Sequence, residues 1–353
     1  MTFSLSSIQG PSRVSVPAAH RCGGAGRWRR AMALMAAVFV QTVSVAAAAP
    51  AQEGEQRGVV DWLVRMHEAS RQRAYTGTLV VTAGTALSSS RIWHVCDGKQ
   101  QMERIDTLTG ELRTTLRRND EVVTLVPSSK RAWLEKRESL GLFPELLRTP
   151  RHQIAAFYEA DERGAERIAG HLADVVEIQP KDALRYGYRI WSEKKTGLVV
   201  KMQTLDTQGA VLEQVAFTEL QLDAPVRMEQ LQQWMTDVRG YALRRLVLHK
   251  TTPQAEGWQF RDSVPGFSWM SCRTREVPSS ARSPMQCVFS DGLASVSLFV
   301  EPFDPIRHQK EGSAVMGASH SLTQRLGDHW LTAVGEVPAA TLKRFAALLE
   351  RVR

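Results

Sequence analysis

The sequence predicts an α+β protein: a large antiparallel sheet carrying two helices, followed by a smaller α/β domain. Three observations lead there. Short β-rich runs follow one another between residues 77 and 220, separated by Asp97-Gly98, Thr109-Gly110, Asn119-Asp120 and Gln208-Gly209. Such turns at close spacing mark an antiparallel meander. Helical periodicity before and within that region is confined to 58–73 and 150–160. Beyond a polar connector a second set of strands ends in a closing helix, and 353 residues suit two domains.

The chain opens on an export signal. Arg27-Trp28-Arg29-Arg30 precedes an apolar run from Ala31 to Val45, then Ala46-Ala47-Ala48-Ala49-Pro50-Ala51. A basic stretch, a short apolar stretch and small residues make a secretory signal, cleaved after Ala48 or Ala51. The run is interrupted by Gln41 and Thr42 and is shorter than the roughly 20 residues a membrane span needs. Residues 1–51 are therefore assigned to the signal, and the mature protein is expected to be exported. They also hold five arginines and no acid, so the formal charge of +8 falls to 40 basic against 37 acidic residues without them. A nucleic-acid partner loses its main support.

The first helix, 58–73, places Val59, Trp62, Leu63, Met66 and Ala69 on one face. Strands are expected at 77–83, 91–96, 101–108, 111–117, 121–126 and 131–136. A loop with Leu140, Leu142, Phe143, Leu146 and Leu147 spans 138–149. Pro150, suited to a first helical turn, opens a short helix to Ala160. Strands resume at 166–168, 171–179, 185–192, 198–205 and 211–220, so 57–222 form the first domain. A connector occupies 223–250, with its helix from Pro225 to Gly240. The second domain, 251–353, has strands at 267–273, 285–289, 293–300, 314–325 and 329–334. A helix from Pro338 to Val352 closes it.

Few residues are arranged for chemistry. The nine histidines show no H-E-x-x-H or H-x-x-x-H spacing, and the cysteines no C-x-x-C. Neither metal nor other cofactor is expected. Gly317-Ala318-Ser319-His320-Ser321 lacks the second glycine of a nucleophile elbow and sits in a strand. Cys272 and Cys287 form either a cross-strand disulfide or two separate buried thiols, and Cys96 is left unpaired.

Binding surfaces remain. About ten strands in one layer must curl. Two helices cover only part of such a sheet, leaving room for an apolar, acyl-chain-sized groove. Its candidate lining is Leu79, Val81 and Trp93, with Trp133, Leu142, Phe143, Leu146 and Leu147 as a lid. Arg113, Arg117 and Arg118 are the candidates for an anionic group.

Several segments carry a family resemblance. They are Tyr75-Thr76-Gly77-Thr78, Glu103-Arg104-Ile105, Arg117-Arg118-Asn119-Asp120-Glu121, Arg185-Tyr186-Gly187-Tyr188-Arg189-Ile190-Trp191 and Thr204-Leu205-Asp206-Thr207-Gln208-Gly209. In the second domain they are Pro265-Gly266-Phe267, Phe289 to Ser297, and Gly335-Glu336-Val337-Pro338. In their order and spacing the chain, over roughly 57–353, resembles the RseB/MucB family of periplasmic regulators of the envelope-stress sigma factor. The resemblance implies a half-open sheet like that of the periplasmic lipoprotein carriers, with helices on its concave side. It implies no catalysis. The partner would be the periplasmic part of a membrane-spanning anti-sigma factor, shielded from a site-one protease. Lipopolysaccharide or another acylated ligand would release it. Within that scheme Phe289, Asp291, Gly292 and Leu293 are the candidate anti-sigma contacts, and a homo-oligomer is left open. The competing readings are a lipoprotein or lipid carrier, an exported hydrolase acting through Ser319 and His320, and an outer-membrane assembly scaffold.

Overall fold

The computed structural model describes residues 57–136, 151–245, 247–275 and 284–352. The export signal, the loop 138–149 and the stretch between Cys272 and Cys287 from 276 to 283 lie outside the described residues.

Helix α1 (Val59–Gln72) begins where Asp61 accepts a hydrogen bond from the Gly58 N–H at 3.2 Å. An acid in the first turn satisfies an orphan donor and suits the positive helix end. All five residues of its expected stripe are buried. Then β1 (Tyr75–Ala83), β2 (Ala86–Cys96), β3 (Gln101–Thr107), β4 (Thr114–Arg118), β5 (Glu121–Val126) and β6 (Arg131–Lys136) run as a meander. After α2 (Arg151–Phe157), a second meander follows: β7 (Tyr158–Ile168), β8 (His171–Pro180), β9 (Gly187–Glu193), β10 (Val199–Leu205) and β11 (Val211–Leu222). β11 pairs with β1, which joins the meanders. After helix α3 (Met228–Thr236), strand β12 (Ala242–Arg245) adds in parallel to β6. The result is one twelve-stranded sheet, β12-β6-β5-β4-β3-β2-β1-β11-β10-β9-β8-β7.

This sheet curls. A ring nitrogen of His171, at the start of β8, lies 3.1 Å from the Leu220 carbonyl of β11. The closure buries both faces of the intervening strands: Val176 and Ile190 with α1, Val175 and Trp191 on the other face. Hence β9 and β10 are buried along most of their length, although Arg189, Glu193, Lys201 and Gln203 interrupt their apolar residues. We call the face that carries α1 and α2 inner. Helix α3 packs Leu231 and Met235 on the outer face, against Val95, Met102, Leu116 and Leu125.

The second sheet is built from β13 (Leu248–Thr251), β15 (Ser268–Arg275), β16 (Met285–Ser290), β17 (Ser295–Pro302), β18 (Gly312–Met316), β19 (Ser319–Leu326) and β20 (His329–Gly335). Its order is β13-β15-β16-β17-β20-β19-β18. Helix α4 (Ala339–Leu348) packs Leu342 and Phe345 on Phe267 and Phe289. Burying each such side chain contributes about 1.5–3 kcal/mol. A two-stranded sheet of β14 (Trp258–Phe260) and β21 (Leu349–Arg351) finishes the unit. Cys272 and Cys287 stand directly opposite on β15 and β16 and are joined by a disulfide.

The α+β class and the curled sheet are as expected, but four segments differ. The second helix stops at Phe157, and β7 takes Tyr158 onward. Because β7 is an edge strand, its outward residues are solvated and polar, which hides its alternation. Residues 314–325 are a hairpin rather than one strand, because Gly317 turns the chain at φ 59°. The closing helix ends at Leu348, where pairing of β21 with β14 overrides the helical stripe. The connector holds only nine helical residues, then β12 and the start of β13.

Candidate functional site

Register places a polar row across the inner face. Tyr75 of β1 lies opposite His94 of β2, His94 opposite Glu103 of β3, and Glu103 opposite Arg117 of β4. Tyr75 and His94 stack at 4.8 Å between centroids, and both are buried. His94 Nδ1 is 3.9 Å from the Glu103 carboxylate, and neither ring nitrogen reaches strict hydrogen-bond geometry. Burial alone would lower the His94 pKa. The Cys96 thiol and the Glu103 carboxylate outweigh it and raise the value to about 9. Burial also pushes the Tyr75 hydroxyl pKa up, with Glu103 adding to it, so Tyr75 stays neutral. The row is thus a cation held between a carboxylate and an aromatic ring inside the sheet.

A second constellation joins the two sheets. Arg185, fully buried in the loop between β8 and β9, sends Nη2 to the Pro265 carbonyl at 2.6 Å. Its Nε lies 3.1 Å from Asp182, and its Nη1 lies 3.5 Å from Asp291 in the turn between β16 and β17. The Tyr158 hydroxyl donates to the same Asp291 oxygen at 2.8 Å. The other Asp291 oxygen accepts from the N–H groups of Leu293 and Ala294. Rings of Phe157, Tyr158 and Phe267 surround the guanidinium. Burial drives the Asp291 pKa up; those two N–H groups, Arg185 and Tyr158 oppose it without cancelling it. Gly266 has φ 80°, and a Cβ there would sit 2.7 Å from the guanidinium. Only glycine fits that approach. Thr341 of α4 adds a hydrogen bond to the Leu184 carbonyl at 2.7 Å.

The expected site residues are distributed between these places. Leu79 is a core residue on the inner face with Phe217 and Ile92, and Val81 and Trp133 share that face by register. Trp93 does not share it. It lies on the outer face, edge-on to Trp234 of α3 and under Arg104. An alternating strand sends neighbours to opposite faces, so Leu79, Val81 and Trp93 cannot line one groove. Leu142, Phe143, Leu146 and Leu147 lie outside the described residues. The three arginines do not converge. Arg113 is an exposed rim residue, Arg117 is buried in the inner row, and Arg118 pairs with Glu121 at 2.7 Å on the opposite face. Phe289 is core and Asp291 is buried against Arg185, so neither is offered to a partner; Gly292 is buried beside it, and Leu293 is half-buried against the α1 cluster. Ser319 and His320 lie in β19, where His320 faces Tyr186 at 3.3 Å. Arg185, Tyr158, His94 and Gly266 were not singled out as site residues. The available signal was that Arg185, Gly266 and Asp291 stand in three of the segments that carry the family resemblance; that these meet in space is visible only in the fold.

Among the described residues no cluster of His, Cys, Asp or Glu could hold a metal ion, and no helix is long and apolar enough to cross a membrane. Fold and contacts define a class: a curled-sheet domain and a smaller sheet domain locked by a buried polar contact. Residues 58–235 match the MucB/RseB N-terminal domain and residues 252–350 the MucB/RseB C-terminal domain. The chain belongs to the MucB/RseB family. It is similar to the sigma factor AlgU regulatory protein MucB of Pseudomonas aeruginosa, with 28% identity over 292 residues, 81% of this chain and 89% of that one. It is also similar to the sigma-E factor regulatory protein RseB of Haemophilus influenzae, with 25% identity over 80% of this chain and 88% of that one. Among solved structures, MucB in complex with MucA(peri) superposes with a TM-score of 0.64 at 26% identity, covering 83% of this chain and 98% of that one. MucB alone gives a TM-score of 0.60.

Proposed function

We propose that this chain is a periplasmic regulator that binds the periplasmic part of a membrane-spanning anti-sigma factor and so restrains the envelope-stress sigma factor. One observation carries the reading. A relative of the same two-domain plan, superposing over 83% of this chain, is a MucB in complex with MucA(peri). Binding would shield the anti-sigma factor from its first protease, and an acylated ligand such as lipopolysaccharide would release it. Two sites coupled in free energy suffice for that exchange, with no chemical step. The inner face around Val81 and Trp133 is the place for an acyl chain in this scheme. The anti-sigma segment would bind where both domains contribute surface, its fit set by the buried Arg185–Asp291 contact.

The test is a pull-down. The chain, tagged at its C-terminus, is expressed in its host, and the envelope is extracted in mild detergent. Recovery of a single-span protein with a cytoplasmic sigma-binding segment supports the regulator. Recovery of lipoproteins or lipids alone would turn the reading toward a carrier.

A further inference from the structure

The described residues hold three cysteines, in unlike settings. Cys272 and Cys287 are buried and joined to each other. Cys96 is free and half-buried. It ends β2 ahead of a turn fixed by Asp97, whose carboxylate accepts from the N–H groups of Lys99 and Gln100 at 2.9 and 2.7 Å. Pairing between β1 and β2 stops at Tyr75 and His94, so Cys96 lies two residues past it, at the rim of the sheet. On the other side Gln101 of β3 stands opposite. The thiol is thus within reach of solvent, while its neighbour along the strand, His94, is inside.

Strand alternation puts Cys96 and His94 on the same face. A buried cation is costly unless it is paired and hydrogen-bonded. His94 is 5% exposed, and neither ring nitrogen has a hydrogen-bond partner in good geometry among the described residues. Glu103, directly opposite on β3, stands 3.9 Å from Nδ1, beyond hydrogen-bond distance. Tyr75 of β1 stacks on the ring and fixes it, and Arg117 of β4 lies beyond Glu103 in the row. Along the strand, the remaining group that acts on the ring is the Cys96 thiol. A structural cysteine packs as a small hydrophobe and needs no such neighbour. A nucleophilic one does, because the thiolate is the reacting form and an adjacent imidazolium favours it.

We propose that Cys96 is a reactive thiol, with His94 as its cationic partner, that takes up small disulfides from solution as a mixed disulfide. Its thiolate attacks one sulfur of RS–SR. A bond forms from Sγ to that sulfur, the S–S bond breaks, and RS⁻ leaves and takes up the proton that Cys96 released to solvent. Cys–SH and RS–SR become Cys–S–SR and RSH, so Cys96 is oxidised and the departing half of the disulfide is reduced. A disulfide is the class of oxidant favoured, because the chain carries a disulfide of its own and such bonds persist in oxidising compartments. Glu103 is a positioning residue, since it holds charge on the His94 ring and touches no reacting atom. The site is defined without reference to the anti-sigma reading, and either can fail alone.

The test exposes the folded chain, with its Cys272–Cys287 bridge intact, to dithiobis(nitrobenzoate), a disulfide whose leaving thiolate is coloured. Absorbance reads the rate, and peptide mass spectrometry locates the adduct. The adduct should form on Cys96 in the native chain. His94→Gln should slow it about tenfold, and Glu103→Gln should slow it less. The direction separates chemistry from packing, because a substitution that merely loosens the sheet exposes the thiol and speeds the reaction. In urea, where the neighbours are lost, parent and variants should react alike. No adduct until the chain unfolds, a rate in His94→Gln equal to or above the parent's, or a difference that persists in urea would each overturn the proposal. Circular dichroism checks the fold of each variant. Should His94→Gln be unfolded, Glu103→Gln, which keeps the imidazole in the sheet, decides the matter, and a rate at or above the parent's overturns the proposal. Anti-sigma capture is scored separately.

Discussion

His94 shows how one side chain reports on its surroundings. Its ordinary pKa of 6.5 rises to about 9 in the folded chain, against burial and through Cys96 and Glu103. A pKa raised by folding gives stability that is complete below pH 6.5 and is lost as pH climbs through 9. The amount is at most about 3 kcal/mol. Urea midpoints measured between pH 7 and 10 should therefore fall, and Glu103→Gln should flatten that fall. An unchanged slope in the variant would remove Glu103 from the account. Arg185 is a second buried cation, and its loss is felt where its partner Asp291 is ionised. Arg185→Met leaves Asp291 in an apolar site without its counter-charge. Removing one partner of a buried pair costs about 3–5 kcal/mol. Asp291→Asn in the same background should recover part of it, since a neutral amide can keep the Tyr158 contact. A double-mutant cycle in urea checks this, and additive losses would mean that the 3.5 Å contact carries no coupling.

Elements were legible where they bury one face. Helix α1 and strands β5 and β6 stand where periodicity put them, because their apolar spacing answers to a single core. β12 and β13 were not legible: four residues hold too few alternations, and both strands are defined by a neighbour on another part of the chain. The grouping of Trp93 with Leu79 failed for a related reason. Alternation gives the face within a strand, but only the cross-strand register, Thr76 opposite Trp93, gives the face within a sheet. The candidate site was legible as segments rather than as contacts. Nothing local marks Arg185 as buried, because its partners come from residues 265 and 291. Two elements supply tests. The Cys272–Cys287 bridge has a sequence separation of 15, and constraining a loop of that size is worth about 3 kcal/mol. Cys272→Ser with Cys287→Ser should lower the melting temperature by several degrees, an effect that reductant mimics in the parent chain and not in the variant. At the β18–β19 turn, Gly317 has φ 59°, and a Cβ there would sit 2.7 Å from the Ala83 side chain of β1. Gly317→Val should open this contact between the sheets and speed proteolysis at both hairpin tips.

At the scale of the whole molecule, the question is whether the two sheets act as one body. Contacts among the described residues include Arg185 with Pro265 and Asp291, Tyr158 with Asp291, Thr341 with Leu184, Tyr186 with His320, Arg273 with the Lys136 carbonyl, and Gly317 against Ala83, and the Arg185–Asp291–Tyr158 group is the buried centre of them. Buried charge has no solvent to fall back on, so such a contact is made whole or not at all. A binding switch needs that behaviour, because a ligand moves an equilibrium only by the difference in its affinity for two discrete states. Gly266→Ala probes it with one methyl. The added Cβ would meet the Arg185 guanidinium at 2.7–2.9 Å and the Phe157 ring at 2.9 Å, at a backbone angle that L-residues rarely adopt. Calorimetry of the parent chain should give one transition, and that of Gly266→Ala two, with the second domain melting first because it is the smaller. If the anti-sigma segment needs both domains held together, the same variant should lose affinity while each domain remains folded near room temperature. Two transitions with unchanged affinity would place the whole binding surface on one domain, and the buried contact would then serve stability alone.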